Sequence, residues 1–343
     1  MSTSENQVNF SIITPVKNGR SFVKPYVEML SRLHLLPGDE IIIIDDNSTD
    51  STADLLKKAI NEAENLPARV IKSDGNGVVD ARHRGAEAAA NRYLLFADID
   101  DELVADGVDA LRQSAQSTDA DIVVADYEMA FENGRRQHCG YFNTADGFDS
   151  LFDFIITRHV GNLWGKLIKR DLYLNIPLLD RSLTFCQDYS QMLQLAAMSQ
   201  STAHCGATSY IYCQHPNSNC NRAYDVDVYG RRFGRLASNF HSLSNLHCFT
   251  PEQATALQAL TLVYARYYIG VAGRRHTEFV RLLSAVKSLL STDRNLVGLA
   301  GYTPGRRRQL HLLWNFPTIF GPFHRLKLRR QGRIRKSSKP QKD

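Results

Sequence analysis

Two rhythms of apolar and polar positions alternate along the first 125 residues. Short, nearly unbroken apolar runs set the first: Phe10-Ser11-Ile12-Ile13-Thr14, closed by Pro15, and Glu40-Ile41-Ile42-Ile43-Ile44, ending abruptly at Asp45-Asp46. Runs without a polar face predict parallel strands buried on both sides of a sheet. The second rhythm is helical. Residues 22–36 place Val23, Val27, Leu30 and Leu33 on one face, and a helix from Ser51 carries Leu55, Leu56 and Ile60, with Ser48 or Asp50 as its cap. A strand at 68–72, an Ala-rich helix at 77–92 and the strands Tyr93–Ala97 and Asp121–Ala125 continue the alternation. Strand, helix, strand, helix in this order predicts a doubly wound α/β domain.

Beyond residue 125 the pattern loosens. Residues 126–150 read as sheet excursions and loops with a turn at Asn133-Gly134, and helical spacing returns at 146–157 and 187–199. From 226 to 292 the chain reads as mostly helical. The expected organisation is a catalytic domain over 1–225, a helical subdomain over 226–300 and a basic, aromatic tail over 301–343.

Composition adds constraints. With 343 residues, 43% hydrophobic and 22% charged, the chain has the apolar material for a globular core. The six cysteines form no CxxC pair. Cys205, Cys213 and Cys220, near His204 and His215, lack the paired short spacing of a structural zinc site, and free cysteines in a reducing compartment are expected instead. Residues 1–9 lack the layout of a signal peptide, and no run of 18 apolar residues predicts a spanning helix. Charge is uneven: residues 301–343 hold twelve Lys/Arg against the single acid Asp343, so within a chain total of +5 the body sums to −6.

Candidate chemistry sits at strand ends. In a parallel sheet, ligands bind outside the carboxyl ends of the strands. Asp45-Asp46 and Asp98-Ile99-Asp100-Asp101 both fall there. Carboxylates gathered in this way repel one another unless a hard cation with oxygen ligands, such as Mg²⁺ or Mn²⁺, is present. The plainer reading makes them helix caps and solvated strand ends. No GxxxxGK[ST] loop occurs, and Gly75 and Gly77 belong to no strand–GxGxxG–helix unit. Phosphates would therefore be met by a metal and by Arg82 or Arg84.

Several of these segments carry a family resemblance. Ser11–Asn18 resembles the opening strand and Pro-x-x-Asn turn of the inverting family 2 glycosyltransferases with the GT-A fold, particularly bacterial enzymes of surface-polysaccharide synthesis. Asp45-Asp46-Asn47-Ser48-Thr49-Asp50-Ser51-Thr52 matches the family's DDxSxDxT signature, and Asp98-Ile99-Asp100-Asp101 its DxDD motif. Ala81-Arg82 resembles the Ala-Arg-Asn segment with His83 in place of the asparagine; Trp164-Gly165-Lys166-Leu167 resembles Trp-Asn-Lys-Leu with Gly165 in its place; Gln187-Asp188 stands where many members have Glu-Asp. Tyr212–Ser218 resembles the segment that closes the acceptor side, and the likeness runs over about residues 9–220.

The resemblance implies a GT-A nucleotide-diphospho-sugar transferase fold, a Rossmann-like mixed sheet, here with a helical C-terminal extension. It implies that Pro15 and Asn18 shape the nucleotide pocket, that Asp46 accepts from the base with Asp45 beside it, and that Asp98 holds the ribose side. It further implies that Asp100 ligates Mn²⁺ or Mg²⁺ and that Asp188 is the general base; Lys166 is a diphosphate or scaffold residue. The reaction would be transfer from a nucleotide sugar, by default a UDP-sugar, to a glycan or polyprenyl-linked acceptor. A nucleotidyltransferase and a non-catalytic carbohydrate-binding protein of the same fold are the alternatives, and retention of Asp46, Asp98, Asp100 and Asp188 favours catalysis.

The tail adds one partner. Leu310–Phe323 is apolar and aromatic between basic blocks, a composition that suits an anionic membrane surface contacted through residues 306–342. The expected location is cytoplasmic, with peripheral attachment at the inner face of the cell membrane. Nucleic acid is not an expected partner, because no nucleic-acid fold accompanies the charge.

Overall fold

The structure, a computed structural model, describes residues 7–143, 145, 147–177, 183, 185–214, 226–271, 305, 308, 311, 312, 315 and 316. The chain divides into two compact units, one of residues 1–155, 159–182 and 187–222, the other of residues 156–158, 183–186 and 223–343. The sheet belongs to the first.

Four parallel strands form one half of that sheet: β1 (Phe10–Val16), β2 (Glu40–Asp45), β3 (Ala68–Lys72) and β4 (Tyr93–Phe96), in the order β3-β2-β1-β4. Every residue of β1 is buried, as are Ile41–Ile44 of β2 and the whole of β4, which is why these runs lack a polar face. At the edge, β3 presents Arg69 and Lys72 to solvent, charges that discourage pairing with another chain. Because β1 lies between β2 and β4, both acidic clusters emerge beside its carboxyl end. The Asp46 N–H donates to Val16 O at 2.7 Å and Ala97 N–H to Ile13 O at 3.1 Å, so each ladder continues to the motif itself.

The helices of this half are α1 (Val23–Leu30), α2 (Thr52–Glu62) and α3 (Val78–Ala88). α1 is shorter than its apolar spacing predicts: it ends at Leu30, and Ser31 follows with its hydroxyl donating to Val27 O at 2.9 Å. The expected cap of α2 is Asp50 and not Ser48: its carboxylate accepts from the Thr52 N–H at 3.2 Å and from the Thr52 hydroxyl, while Ser51 between them takes φ 65°. α3 approaches β1 through Gly85, where a Cβ would stand 2.4 Å from Ile13 Cγ2.

The remaining strands reverse direction. β8 (Lys166–Lys169) runs antiparallel to β4 and to β6 (Ile122–Phe131); β9 (Thr202–Gln214) pairs parallel with β6; β5 (Glu102–Leu103) closes antiparallel on β9. β6 extends well past the predicted Ala125. Its outer half exchanges β8 for β7 (Arg136–Cys139) as neighbour, joined by the expected Asn133-Gly134 turn, in which Gly134 takes φ 78°. The sheet is therefore mixed, in agreement with the Rossmann-like mixed sheet the resemblance implies, rather than uniformly parallel.

α4 (Ala105–Thr118), which the sequence pattern did not reveal, fastens the two halves. Its Arg112 reaches the start of β2, donating to both Asp39 oxygens at 3.0 and 2.7 Å and to Val8 O at 2.8 Å, with the guanidinium over the Phe10 ring. Gly107 lets the helix lie against β9: a Cβ there would sit 1.9 Å from Thr208 O.

Three helices of the described residues follow the hairpin: α5 (Leu151–Arg158), α6 (Arg170–Asn175) and α7 (Gln187–Met198). The second unit contains α8 (Val226–Ser244) and α9 (Pro251–Val271), in agreement with the helical extension; residues 272–292, also read as helical, lie outside the described residues. Phe233, Leu236, Phe240 and Leu243 of α8 and Leu257 and Leu260 of α9 are buried. A capping box starts α9, with Thr250 Oγ1 accepting the Gln253 N–H at 3.2 Å and Gln253 Oε1 accepting the Thr250 N–H at 3.0 Å, ahead of Pro251 at the first helical position. No helix among the described residues is long and apolar enough to cross a membrane. Among the described residues, Cys139, Cys186, Cys205, Cys213 and Cys248 are in no disulfide.

Candidate active site

The carboxyl end of β1 organises the first group of expected residues. Pro15 is buried in register with Ile44, and its fixed φ suits the last turn of the strand. Asn18 follows at φ 54° and ties two loops together: its N–H donates to Ser48 Oγ at 2.9 Å, and its Oδ1 accepts the Thr49 N–H at 2.8 Å and hydroxyl at 3.3 Å. The Asn side chain is thus engaged inside the DDxSxDxT loop.

Asp45 and Asp46, adjacent in sequence, differ in what they touch. Asp46 accepts from Ser73 Oγ at 2.7 Å, from the Gly77 N–H at 3.2 Å and from Lys17 Nζ at 3.4 Å. Asp45 is fully buried; its Oδ2 accepts the Ser48 N–H at 3.4 Å, and its Oδ1 has no partner. A buried acceptor without a donor is costly.

The second group centres on Arg82, one turn into α3. Its guanidinium is 3% exposed and forks between two carboxylates, donating to Asp98 Oδ1 at 2.9 Å and, by a shorter contact, to Asp188 Oδ1. Although burial works against its charge, Asp188 and Asp98 hold the guanidinium firmly protonated. Asp188 stands in the first turn of α7, with its side chain 25% exposed, enough for an acceptor hydroxyl to reach it. Burial pushes its carboxyl above the usual range; Arg82 opposes that push, Asp98 reinforces it, and the net direction is upward.

The DxDD run lies between these groups. Asp101 N–H donates to Asp98 O at 3.2 Å, closing the tetrapeptide as a turn. Asp101 itself points inward, 6% exposed, accepting from the Tyr210 hydroxyl at 2.9 Å and the Cys213 N–H at 2.8 Å. Burial, then the charges of Asp98 and Asp100, push its carboxyl well up. Asp98 and Asp100 are half-buried.

Lys166 is set apart from this surface. It is 1% exposed, and its Nζ donates to Asn162 O at 2.8 Å and Trp164 O at 3.2 Å, with the Tyr141 ring 3.8 Å away. Burial pushes its ammonium well below the usual lysine range, against the pull of Asp188. It is a buried electrostatic neighbour of Asp188.

Of the three departures from the family pattern, the structure shows the surroundings of Gly165 and His83. Gly165 takes φ 69°, and a Cβ there would lie 3.0 Å from Tyr210 Cβ and 3.2 Å from Ser209 Oγ, so the ring occupies the space a side chain would need. His83 faces along α3 to Glu87, Nε2 to Oε1 3.5 Å, while Arg82 beside it points into the site.

A cluster able to hold a metal ion exists elsewhere. Among the described residues, His34, Asp106 and Asp109 bring their ligand atoms within 4.8 Å of one another. They lie where the chain leaves α1 and along the first turns of α4, one turn from the Arg112–Asp39 pair near the start of β2, and the expected ligand Asp100 is not among them.

Tyr210, Ser73 and Gly77 are the contacts that sequence reasoning missed. Tyr210 lies in Ser209-Tyr210-Ile211-Tyr212, an alternation that could have been read as a strand.

Comparison with known proteins follows these elements. The model of glycosyl transferase family 2 matches residues 11–184. The uncharacterized glycosyltransferase EpsJ of Bacillus subtilis is 25% identical over 215 residues, 61% of this chain and 62% of EpsJ, so the chain spans less than two thirds of that relative. The crystal structure of S. aureus TarS 1-349 with UDP-GlcNAc superposes with a TM-score of 0.69 over 95% of this chain and 92% of that one, at 15% identity. The mannosyltransferase PcManGT of Pyrobaculum calidifontis with GDP-Man and Mn²⁺ gives 0.55 over 94% and 88%, at 13% identity. The structures share the fold; the family model covers the opening strand, both acidic motifs, α3 and the Trp164–Leu167 segment. On that match, the chain belongs to glycosyl transferase family 2.

Proposed function

We propose that the chain is a metal-dependent inverting glycosyltransferase that moves a sugar from a nucleotide-sugar donor, a UDP-sugar by its motifs, to a hydroxyl of a cell-surface glycan or polyprenyl-linked acceptor. The observation that carries this reading is the fork of Arg82. One guanidinium joins Asp98, on the donor side, to Asp188, the one carboxylate here that stands at the opening of a helix with a quarter of its side chain open to solvent. That TarS is described with UDP-GlcNAc and PcManGT with GDP-Man supports the donor class.

Asp100, with Asp98 beside it, would hold the cation. The residues fit a hard ion: the donors are carboxylate oxygens gathered in one turn, where burial first, and then the charges of Asp98 and Asp100, push the Asp101 carboxyl up. When bound, Mn²⁺ or Mg²⁺ supplies neutralisation of the diphosphate charge. Asp46 would accept a base N–H, and Asp45, fully buried beside it, would shape the same strand end.

Asp188 takes the proton of the acceptor hydroxyl as its oxygen attacks the anomeric carbon. The bond from that carbon to the diphosphate oxygen breaks, its electron pair leaves with the nucleoside diphosphate, and configuration inverts. Arg82 fixes the Asp188 carboxylate by one oxygen and leaves the other for the hydroxyl. Residues 306–342 would bring the enzyme to an anionic inner leaflet where a lipid-linked acceptor resides; of them Phe316, 51% exposed, is an apolar side chain at the surface.

A screen of nucleotide sugars for transfer and hydrolysis, with Mn²⁺, with Mg²⁺ and with chelator, tests the reading. Turnover with at least one donor, lost in chelator and in Asp100→Ala, is expected. Turnover that persists in chelator would remove the metal from the proposal, and donor binding without turnover under any condition would make the chain a carbohydrate-binding protein.

A further inference from the structure

The tetrapeptide Asp98–Asp101 is held by a residue that belongs to none of the family motifs quoted above. Tyr210 of β9 is fully buried, and its hydroxyl touches both ends of the run: it accepts the Asp98 N–H at 3.0 Å and donates to Asp101 Oδ2 at 2.9 Å. Two further contacts fasten the same loop to the same strand. The Cys213 N–H donates to Asp101 Oδ1 at 2.8 Å, and Leu103, just past the run, pairs antiparallel with Tyr210 itself. The ring cannot drift. It stacks on Trp164 with centroids 4.2 Å apart and planes 11° from parallel, and Gly165 closes against its Cβ. Asp98 and Asp100, both half-buried, are thereby carried on a turn whose first N–H and last carboxylate end on one hydroxyl.

We propose that Tyr210 is the positioning residue of the donor-side carboxylates: its hydroxyl sets the spacing of Asp98 and Asp100 for a divalent cation and the nucleoside diphosphate. Asp101, on this assignment, is an anchor and not a ligand, because both its oxygens are taken by Tyr210 and Cys213. The inference rests on the proposed function of the site. Groups that orient metal ligands without touching the metal change affinity or activity by about 10- to 100-fold when removed.

Tyr210→Phe keeps the ring stacked on Trp164 and deletes only the hydroxyl. Mn²⁺ affinity read by electron paramagnetic resonance, and UDP affinity in the presence of Mn²⁺ read by calorimetry, are both expected to weaken at least tenfold. Ser209→Ala is the matched control, since it deletes a neighbouring buried hydroxyl that donates to Gly165 O at 3.0 Å and does not reach the run; its Mn²⁺ and UDP affinities are expected to stay within twofold of wild type. Equal affinities in Tyr210→Phe and wild type would overturn the proposal, as would an equal loss in Ser209→Ala. Should Tyr210→Phe fail to fold, Asp101→Asn interrupts the same junction from the loop side, with the same weakening expected and the same overturning result. A wild-type chain that binds neither Mn²⁺ nor UDP would overturn the function reading, and this inference with it.

Discussion

At the scale of single residues, the site turns on unequal environments given to chemically identical groups. Asp188 and Asp101 are both pushed upward by burial, yet Asp101 is sealed by two internal donors while Asp188 pairs with Arg82 with its side chain 25% exposed. The general base must be ionised, so the acidic limb of a kcat/KM–pH profile is expected above the ordinary aspartate range. A limb at the value of an unperturbed aspartate would remove Asp188 from that role. The same shift has a sign for stability. The native state holds the Asp188 proton more tightly than the unfolded chain, so its contribution is present at low pH and is lost as pH rises through the folded pKa. Arg82 offsets part of this cost. Arg82→Met leaves Asp98 and Asp188 facing each other without their shared cation, and urea unfolding at neutral pH is expected to show a loss of about 3–5 kcal/mol. A loss under 1 kcal/mol would mean that the fork contributes little. The residue types of this network were legible in the sequence, since Arg82, Asp98 and Asp188 each stand in a motif. Their union was not, because it depends on α3 and α7 converging across 106 residues of chain.

At the scale of elements, the parallel half of the sheet was readable because burial on both faces leaves a continuous apolar run. β3 spans the expected 68–72, and β1, β2 and β4 differ from expectation by no more than two residues at an end. The first half of β9 was not readable: six of its first seven residues are half-buried, so neither alternation nor a full apolar run marks it, and only Ser209–Tyr212 further on alternates. α4 escaped for a related reason, with polar Asp106, Asp109, Gln113 and Ser114 interleaved among its buried Val108 and Leu111. Its packing rests on one glycine. Gly107→Ala would force Cβ against the Thr208 carbonyl, a backbone atom with no rotamer to yield, and a destabilisation of about 3 kcal/mol or more is expected. Thermal unfolding of that variant checks the point, and a midpoint equal to wild type would show that α4 can lift from β9 without cost.

At the scale of the whole molecule, the sheet unit carries every residue assigned to the chemistry, and the helical unit carries its own buried core. The charge imbalance lies at the end of the second unit: the +11 of residues 301–343 sits against −6 in the rest of the chain. If that segment brings the enzyme to a membrane, full-length protein should float with vesicles containing anionic lipid, and a chain ending at Gly305 should not. Equal flotation of the two would detach the tail from the proposal and leave the chemistry untouched. The chemistry itself is tested most directly by one variant. Asp188→Asn removes the base while keeping the size of the side chain, and an amide oxygen can still accept from Arg82. The expected result is a fall in kcat of about 10²- to 10⁴-fold, with UDP affinity in the presence of Mn²⁺ unchanged. Full turnover in Asp188→Asn would contradict the assignment of the base and, with it, the acceptor half of the site.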